Sequence, residues 1–191
     1  MTTESKKGKI TTIVITALAL IVIAFCLVAY LQPEDYSVSR AIAIKAPAAE
    51  VFPHINKLSN WHAWSPWVEL DPKAKITFAG PEEGTGASMT WDGNDNMGEG
   101  SMTILESKTN ELVKYRLDFV KPMIDSCMSK FELKTDNADE TTVVWTMYGK
   151  HPGFFSKALW MVFCSHMIGK QFDKGLANMK AFIEASPEPR F

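Results

Sequence analysis

From Ile10 to Leu31 the chain runs for 22 residues without a charge, and 19 of them are apolar. A helix over this run measures about 33 Å at 1.5 Å per residue, enough to cross the hydrocarbon core of a bilayer. Lys6, Lys7 and Lys9 precede the run, and Pro33, Glu34 and Asp35 follow it. The positive-inside rule therefore places residues 1–9 in the cytoplasm and everything after the run across the membrane. The expectation is a single-pass protein of the inner (cell) membrane with an extracytoplasmic domain. A cleaved signal peptide is the competing reading. It would have an apolar core of roughly 7–15 residues ending at a small-x-small site. This run is longer, Val28-Ala29-Tyr30-Leu31 lacks that spacing, and Phe25 before Cys26 argues against a lipid-attachment box. An uncleaved anchor fits better.

Past Leu31 the composition becomes ordinary. Residues 32–191 carry 68 apolar residues among 160, which is normal for one soluble domain and too short for separate cofactor and substrate lobes. A net charge of −2 excludes a basic nucleic-acid binder. Of the three cysteines, Cys26 falls in the anchor. Cys127 and Cys164 could pair in an oxidising compartment, but in a domain with its own core they read as buried small apolar residues.

Gln32–Ser37 reads as a short linker. From Val38 to Lys45 apolar and polar residues alternate, which predicts a strand. Ala46-Pro47 opens a short helix over Ala48–Ile55, and a second follows over Leu58–Trp64 with a stop at Ser65-Pro66. Period two with regular turn signals predicts strands over Ile76–Phe78, Ala87–Trp91, Gly100–Glu106, Leu112–Phe119, Ile124–Leu133 and Thr141–Tyr148. The connections are short, so the strands should form an antiparallel meander. After His151-Pro152-Gly153 the period turns helical. Phe154, Ala158, Met161, Ser165, Ile168, Phe172, Leu176, Met179 and Ile183 fall on one stripe, predicting one helix of about eight turns.

Several stretches of the chain resemble one family. They are Pro47-Ala48-Ala49-Glu50-Val51-Phe52, Asn60-Trp61-His62-Ala63-Trp64-Ser65-Pro66-Trp67, Gly84-Thr85-Gly86-Ala87-Ser88-Met89-Thr90-Trp91, Thr141-Thr142-Val143-Val144-Trp145 and Ile168 to Leu176. Together they are similar to the START-like helix-grip superfamily (SRPBCC), in its bacterial polyketide cyclase/dehydrase and lipid-transport-like group. The resemblance implies an α+β helix-grip domain over residues 38–186, followed by a tail at 187–191. In it, a curved antiparallel sheet of about seven strands wraps a long C-terminal helix. It also implies an apolar cavity between sheet and helix. Fold analogy alone does not make such a domain an enzyme.

No catalytic, metal or cofactor motif is complete. Gly86-Ala87-Ser88-Met89-Thr90 lacks the second glycine of a nucleophile elbow. Asp92–Asn96 begins like a calcium loop, but Met97 stands in place of the required glycine, so a polar hairpin tip is expected. The four histidines share no ligand spacing. Asp125 alternates in register with Cys127, Ser129, Phe131 and Leu133, and an inward carboxylate there would serve as a general acid or base. The apolar residues are more distinctive. Tryptophan and methionine suit a cavity for variable apolar ligands, and Trp64, Trp67, Met89, Trp91, Tyr115, Met128 and Trp145 are the candidate lining. The leading expectation is therefore binding of an apolar small molecule or lipid without covalent chemistry or cofactor. A cyclase or aromatase acting through Asp125 is the alternative. An interaction module for a membrane-protein partner, through Phe155, Leu159, Trp160 and Phe163, is the third.

Overall fold

A computed structural model of the chain describes residues 3–151, 153–160 and 165–185. They form two compact units. The first holds α1 (Thr3–Leu31), the residues up to Glu34, and α3 (Phe154–Leu159) with its flanks. Within α1, Ile10–Leu31 has a mean hydropathy of 3.0 and is long and apolar enough to cross a membrane.

The second unit is α+β. Its strands are β1 (Asp35–Ile44), β2 (Lys75–Ala79), β3 (Ser88–Asp92), β4 (Glu99–Lys108), β5 (Leu112–Lys121), β6 (Asp125–Asn137) and β7 (Glu140–Lys150). They build one curved antiparallel sheet in the order β1-β7-β6-β5-β4-β3-β2, a meander whose last strand pairs with its first. Two helices join the sheet, α2 (Ala48–Asn56) and α4 (Ser165–Glu184).

Several boundaries differ from the sequence reading for local reasons. β1 starts at Asp35, because Asp35, Tyr36 and Ser37 pair with Lys150, Gly149 and Tyr148 and absorb the end of the expected linker. The second short helix ends before Ser65-Pro66 as expected, but it is a 3-10 turn and a further turn follows it. The first 3-10 turn stops at Ala63, and Pro66 opens a second one, Pro66–Glu69. Proline suits that first helical position because it has no N–H to leave unpaired. The helix expected from Phe154 to Ile183 is described as two, α3 in the first unit and α4 in the second, and residues 161–164 between them lie outside the described residues.

Alternation along the strands gives the sheet an inner face. Val143, Trp145 and Met147 of β7 point to the same side as Phe131, Ser129 and Leu133 of β6 and Tyr115 of β5, and all seven are buried. α4 lies over this side and buries Phe172, Leu176, Met179 and Ile183 at helical spacing. The approach is close enough that a Cβ on Gly175 would stand 2.9 Å from the Trp145 ring and 3.0 Å from Pro66 Cδ. Arg40 of β1 pairs with Asp173 of α4 at 3.1 Å, and the Lys180 ammonium donates to the Ala43 carbonyl at 2.6 Å.

Candidate functional site

The middle of the inner face is filled by rings. Trp145 stacks on Phe172 with centroids 3.9 Å apart and on Phe131 at 4.7 Å. The edges of Trp64 and Trp67 reach Trp145 at 5.6 and 5.5 Å, and Trp61 meets Tyr115 at 5.5 Å. Polar atoms lock these rings in place. The Trp61 and Trp64 indoles donate to the Ile55 and His54 carbonyls, and the Tyr115 hydroxyl also donates to Ile55. These are carbonyls in the last turn of α2, which has no further helix to satisfy them. The Trp145 indole donates to Ser129 Oγ at 3.0 Å, and burial pushes the Tyr115 phenol well above its ordinary range. A ring packed on both sides with its polar atom bonded has no free face for a ligand. Trp64, Tyr115 and Trp145 are therefore core, and Trp67 lies half-buried beside Trp145.

The inner face changes character toward β2. Ladder pairs place Phe78, Met89, Met102, Leu117 and Cys127 in one row across β2 to β6, and Ile76, Trp91, Gly100, Phe119 and Asp125 in the next. Met102, Trp91 and Cys127 are buried and make the floor. Met89, Leu117 and Phe119 are half-buried, while Ile76 is 40% and Phe78 52% exposed. The result is a partly exposed apolar surface, here called the trough, on the inner side of β2–β5. Trp91 packs directly over Gly100, which has no side chain, and meets the Phe119 ring edge-on at 6.0 Å. A Cβ on Gly100 would stand 2.5 Å from the indole and 2.6 Å from the Asp118 carbonyl oxygen.

Two candidates fall elsewhere. Met128 pairs with Arg116 and Tyr148 and so faces away from Ser129 and Phe131, on the outer side of the sheet. Asp125 has the inner parity read from the sequence, but it is the first residue of β6 and is exposed, and its Oδ1 accepts the Ser126 N–H at 2.8 Å. Its environment does not supply the burial that an inward general acid would need. Sequence reasoning missed Ile76, Phe78, Leu117 and Phe119. The alternation of Leu117 and Phe119 with Arg116 and Asp118 was the available signal.

Other chemistry is muted. Burial, with a smaller contribution from the Asp125 carboxylate, pushes the Cys127 thiol up to about 12, so it stays a thiol at neutral pH. Among the described residues no group of three His, Cys, Asp or Glu could hold a metal ion. The Asp92–Gly98 tip is a polar hairpin in which Asn94 Oδ1 accepts the Asn96 and Met97 N–H groups. The outer side of β2–β5 carries a depression of about 380 Å³ bordered by Thr77, Thr90, Ser101 and Asp118. Of its acids, Asp118 pairs with Arg116 at 2.9 Å and Glu99 with Lys121 at 2.7 Å.

Nδ1 of the half-buried His54 of α2 is the one enclosed side-chain nitrogen or oxygen without a hydrogen bond among the described residues. The His54 ring meets Phe182 edge-on at 5.3 Å, and burial lowers its pKa. The unfolded chain binds the proton first, so stability is full above about pH 6.5 and falls as pH drops toward the lowered folded value. Thermal unfolding of the full chain should therefore show a lower Tm at pH 5.5 than at pH 7.5. His54→Phe should flatten that difference; an unchanged pH dependence in the variant would refute the assignment.

The family model described as polyketide cyclase / dehydrase and lipid transport matches residues 35–184. Solved structures share the fold. A Thermobifida fusca protein is 21% identical with a TM-score of 0.59, covering 81% of this chain and 97% of its own. A Nitrosospira multiformis protein is 18% identical with a TM-score of 0.57, covering 82% of this chain and 100% of its own. DynU16, from the dynemicin biosynthetic locus, is 16% identical with a TM-score of 0.56 over 83% of this chain, which spans only 49% of DynU16. No curated protein matches the chain.

Proposed function

Because the chain belongs to the polyketide cyclase / dehydrase and lipid transport family, we propose that it binds an apolar small molecule or lipid in the β2–β5 trough. Ile10–Leu31 acts as an uncleaved single-pass anchor in the inner membrane, with residues 1–9 cytoplasmic and the domain outside. No covalent chemistry is involved. The observation that carries this reading is the contrast along one sheet face. At β6 and β7 the rings fill the space against α4, whereas at β2 and β3 Ile76 and Phe78 remain 40% and 52% exposed beside Met89. Monomeric domains rarely leave contiguous apolar patches without a use for them. Met89 and Trp91 contact the ligand, with Phe78, Leu117 and Phe119 added to them. Trp64, Tyr115 and Trp145 stay in the core, with Trp67 beside Trp145. The adaptable thioether of Met89 allows ligands of differing shape.

Native mass spectrometry of the full chain, released from lipid nanodiscs, tests the reading. A discrete apolar mass should accompany the wild type. In Phe78→Asp, occupancy should fall by about tenfold or more, the scale of losing one buried aromatic contact. Phe78 is half in solvent, so this change should leave the fold intact. A wild type without any bound mass, or equal occupancy in the variant, would overturn the proposal.

A further inference from the structure

The first compact unit joins α1 to a short segment that the ligand site does not use. Ala29, in the last turn of α1, is fully buried, whereas its neighbours Val28, Tyr30 and Leu31 are exposed. α3 packs on this end of α1. The Lys157 ammonium donates to the Gln32 carbonyl at 2.8 Å, placing a cation where the helix leaves its last carbonyls unsatisfied. The His151 N–H donates to the Glu34 carbonyl at 2.8 Å, which ties the start of the segment to the same place. His151 Nδ1 lies 3.1 Å from Ser156 Oγ, and its ring meets the Trp160 indole at 5.6 Å.

These contacts fix a depth. The span ends at Leu31, so the Lys157 ammonium bonded to the Gln32 carbonyl lies within about one helical turn of the hydrocarbon boundary. The residues found there are Phe154, 44% exposed, the exposed Tyr30, the half-buried Trp160 and the cation Lys157. Aromatic rings that are apolar at one end and polar at the other collect at this level of a bilayer, with lysines reaching the headgroups. Six helical residues cannot cross a membrane, and they need not.

We propose that α3 and Trp160 are a membrane-interface element, lying in the headgroup layer of the bilayer that α1 crosses. The inference rests on the anchoring role of α1 given above, and it adds a second lipid contact far from the anchor in sequence. Of the four residues considered for a protein partner, Trp160 is assigned here to lipid. The side chains of Phe155 and Leu159, and the whole of Phe163, lie outside the described residues.

The test uses the full chain in vesicles of phosphatidylcholine and phosphatidylglycerol, part of the phosphatidylcholine carrying brominated acyl chains. Subtracting the Trp160→Phe emission from the wild type isolates the Trp160 signal. That signal should be quenched severalfold more by brominated lipid than by aqueous acrylamide. Phe154→Trp in the Trp160→Phe background should restore a lipid-quenched signal, which keeps the test readable if one variant is poorly folded. Quenching by acrylamide alone would put the segment in water, and quenching by neither would put it against protein; either result overturns the proposal. A carbonate wash separates the two levels. Protein stripped from the vesicles would refute the anchor and this element together, while protein retained without lipid quenching refutes this element alone.

Discussion

Trp145→Ala should cost the domain about 3–5 kcal/mol, the range for deleting a large buried ring. Trp145 is 2% exposed, lies between Phe131 and Phe172, and touches the edges of Trp61, Trp64 and Trp67. Its removal empties the point where β7, α4 and the 3-10 turns meet, and it leaves Ser129 Oγ without the indole donor. For a domain of this size the loss corresponds to a fall in Tm of about 6–20 °C, at 2–4 °C per kcal/mol. Near-UV circular dichroism of the full chain during heating would measure it. Trp145→Phe keeps the stacking and loses the hydrogen bond, so it should cost only about 1–2 kcal/mol. Should Trp145→Ala shift stability by less than that, the ring cluster would not be the core.

Gly100→Ala should also be severe, though it adds a single methyl group. Its Cβ would meet the Trp91 ring at 2.5 Å and the Asp118 carbonyl oxygen at 2.6 Å. The second contact is with backbone of the neighbouring strand, which cannot swing aside as a flexible side chain would. Overpacking of this kind typically costs about 1–3 kcal/mol, and a backbone clash belongs at the upper end. The consequence reaches function, because relief requires Trp91 to leave the trough floor. Gly100→Ala is therefore expected to lower both Tm and ligand occupancy. A variant that unfolds normally and still carries the apolar mass would show that Trp91 is not held by Gly100. Gly169→Ala is the contrast. There the Cβ meets the end of the Arg40 side chain, which can move.

Much of the fold was legible because period two is local. Val113, Tyr115, Leu117 and Phe119 read as one face of a strand, and the ladder puts them on one face. The same alternation sets Met128 opposite Ser129 and Phe131. Met128 has the residue type of a lining side chain but not the parity, and the structure follows the parity. Asp125 shows the complementary limit, since parity gives a side of the sheet but not a depth, and the first residue of a strand stays in water. Whether tryptophans line a space or fill it depends on partners far apart in the chain. Trp61, Trp64, Trp67, Trp145 and Phe172 meet only after the sheet closes and α4 docks. Helical periodicity ran across Phe154–Ile183 because apolar residues recur at the right spacing in both α3 and α4. Spacing alone carries no sign of which compact unit each helix joins.

The central claim, an apolar ligand on the inner face at β2–β5, is tested most directly by photo-cross-linking in native membranes. A benzophenone amino acid replaces Phe78 in one full-length protein and Met128 in another. These positions lie on opposite sides of one sheet, one in the trough and one on the outer face. The account predicts a discrete apolar adduct from position 78 and none from position 128. No adduct from 78, or equal adducts from both, would contradict it.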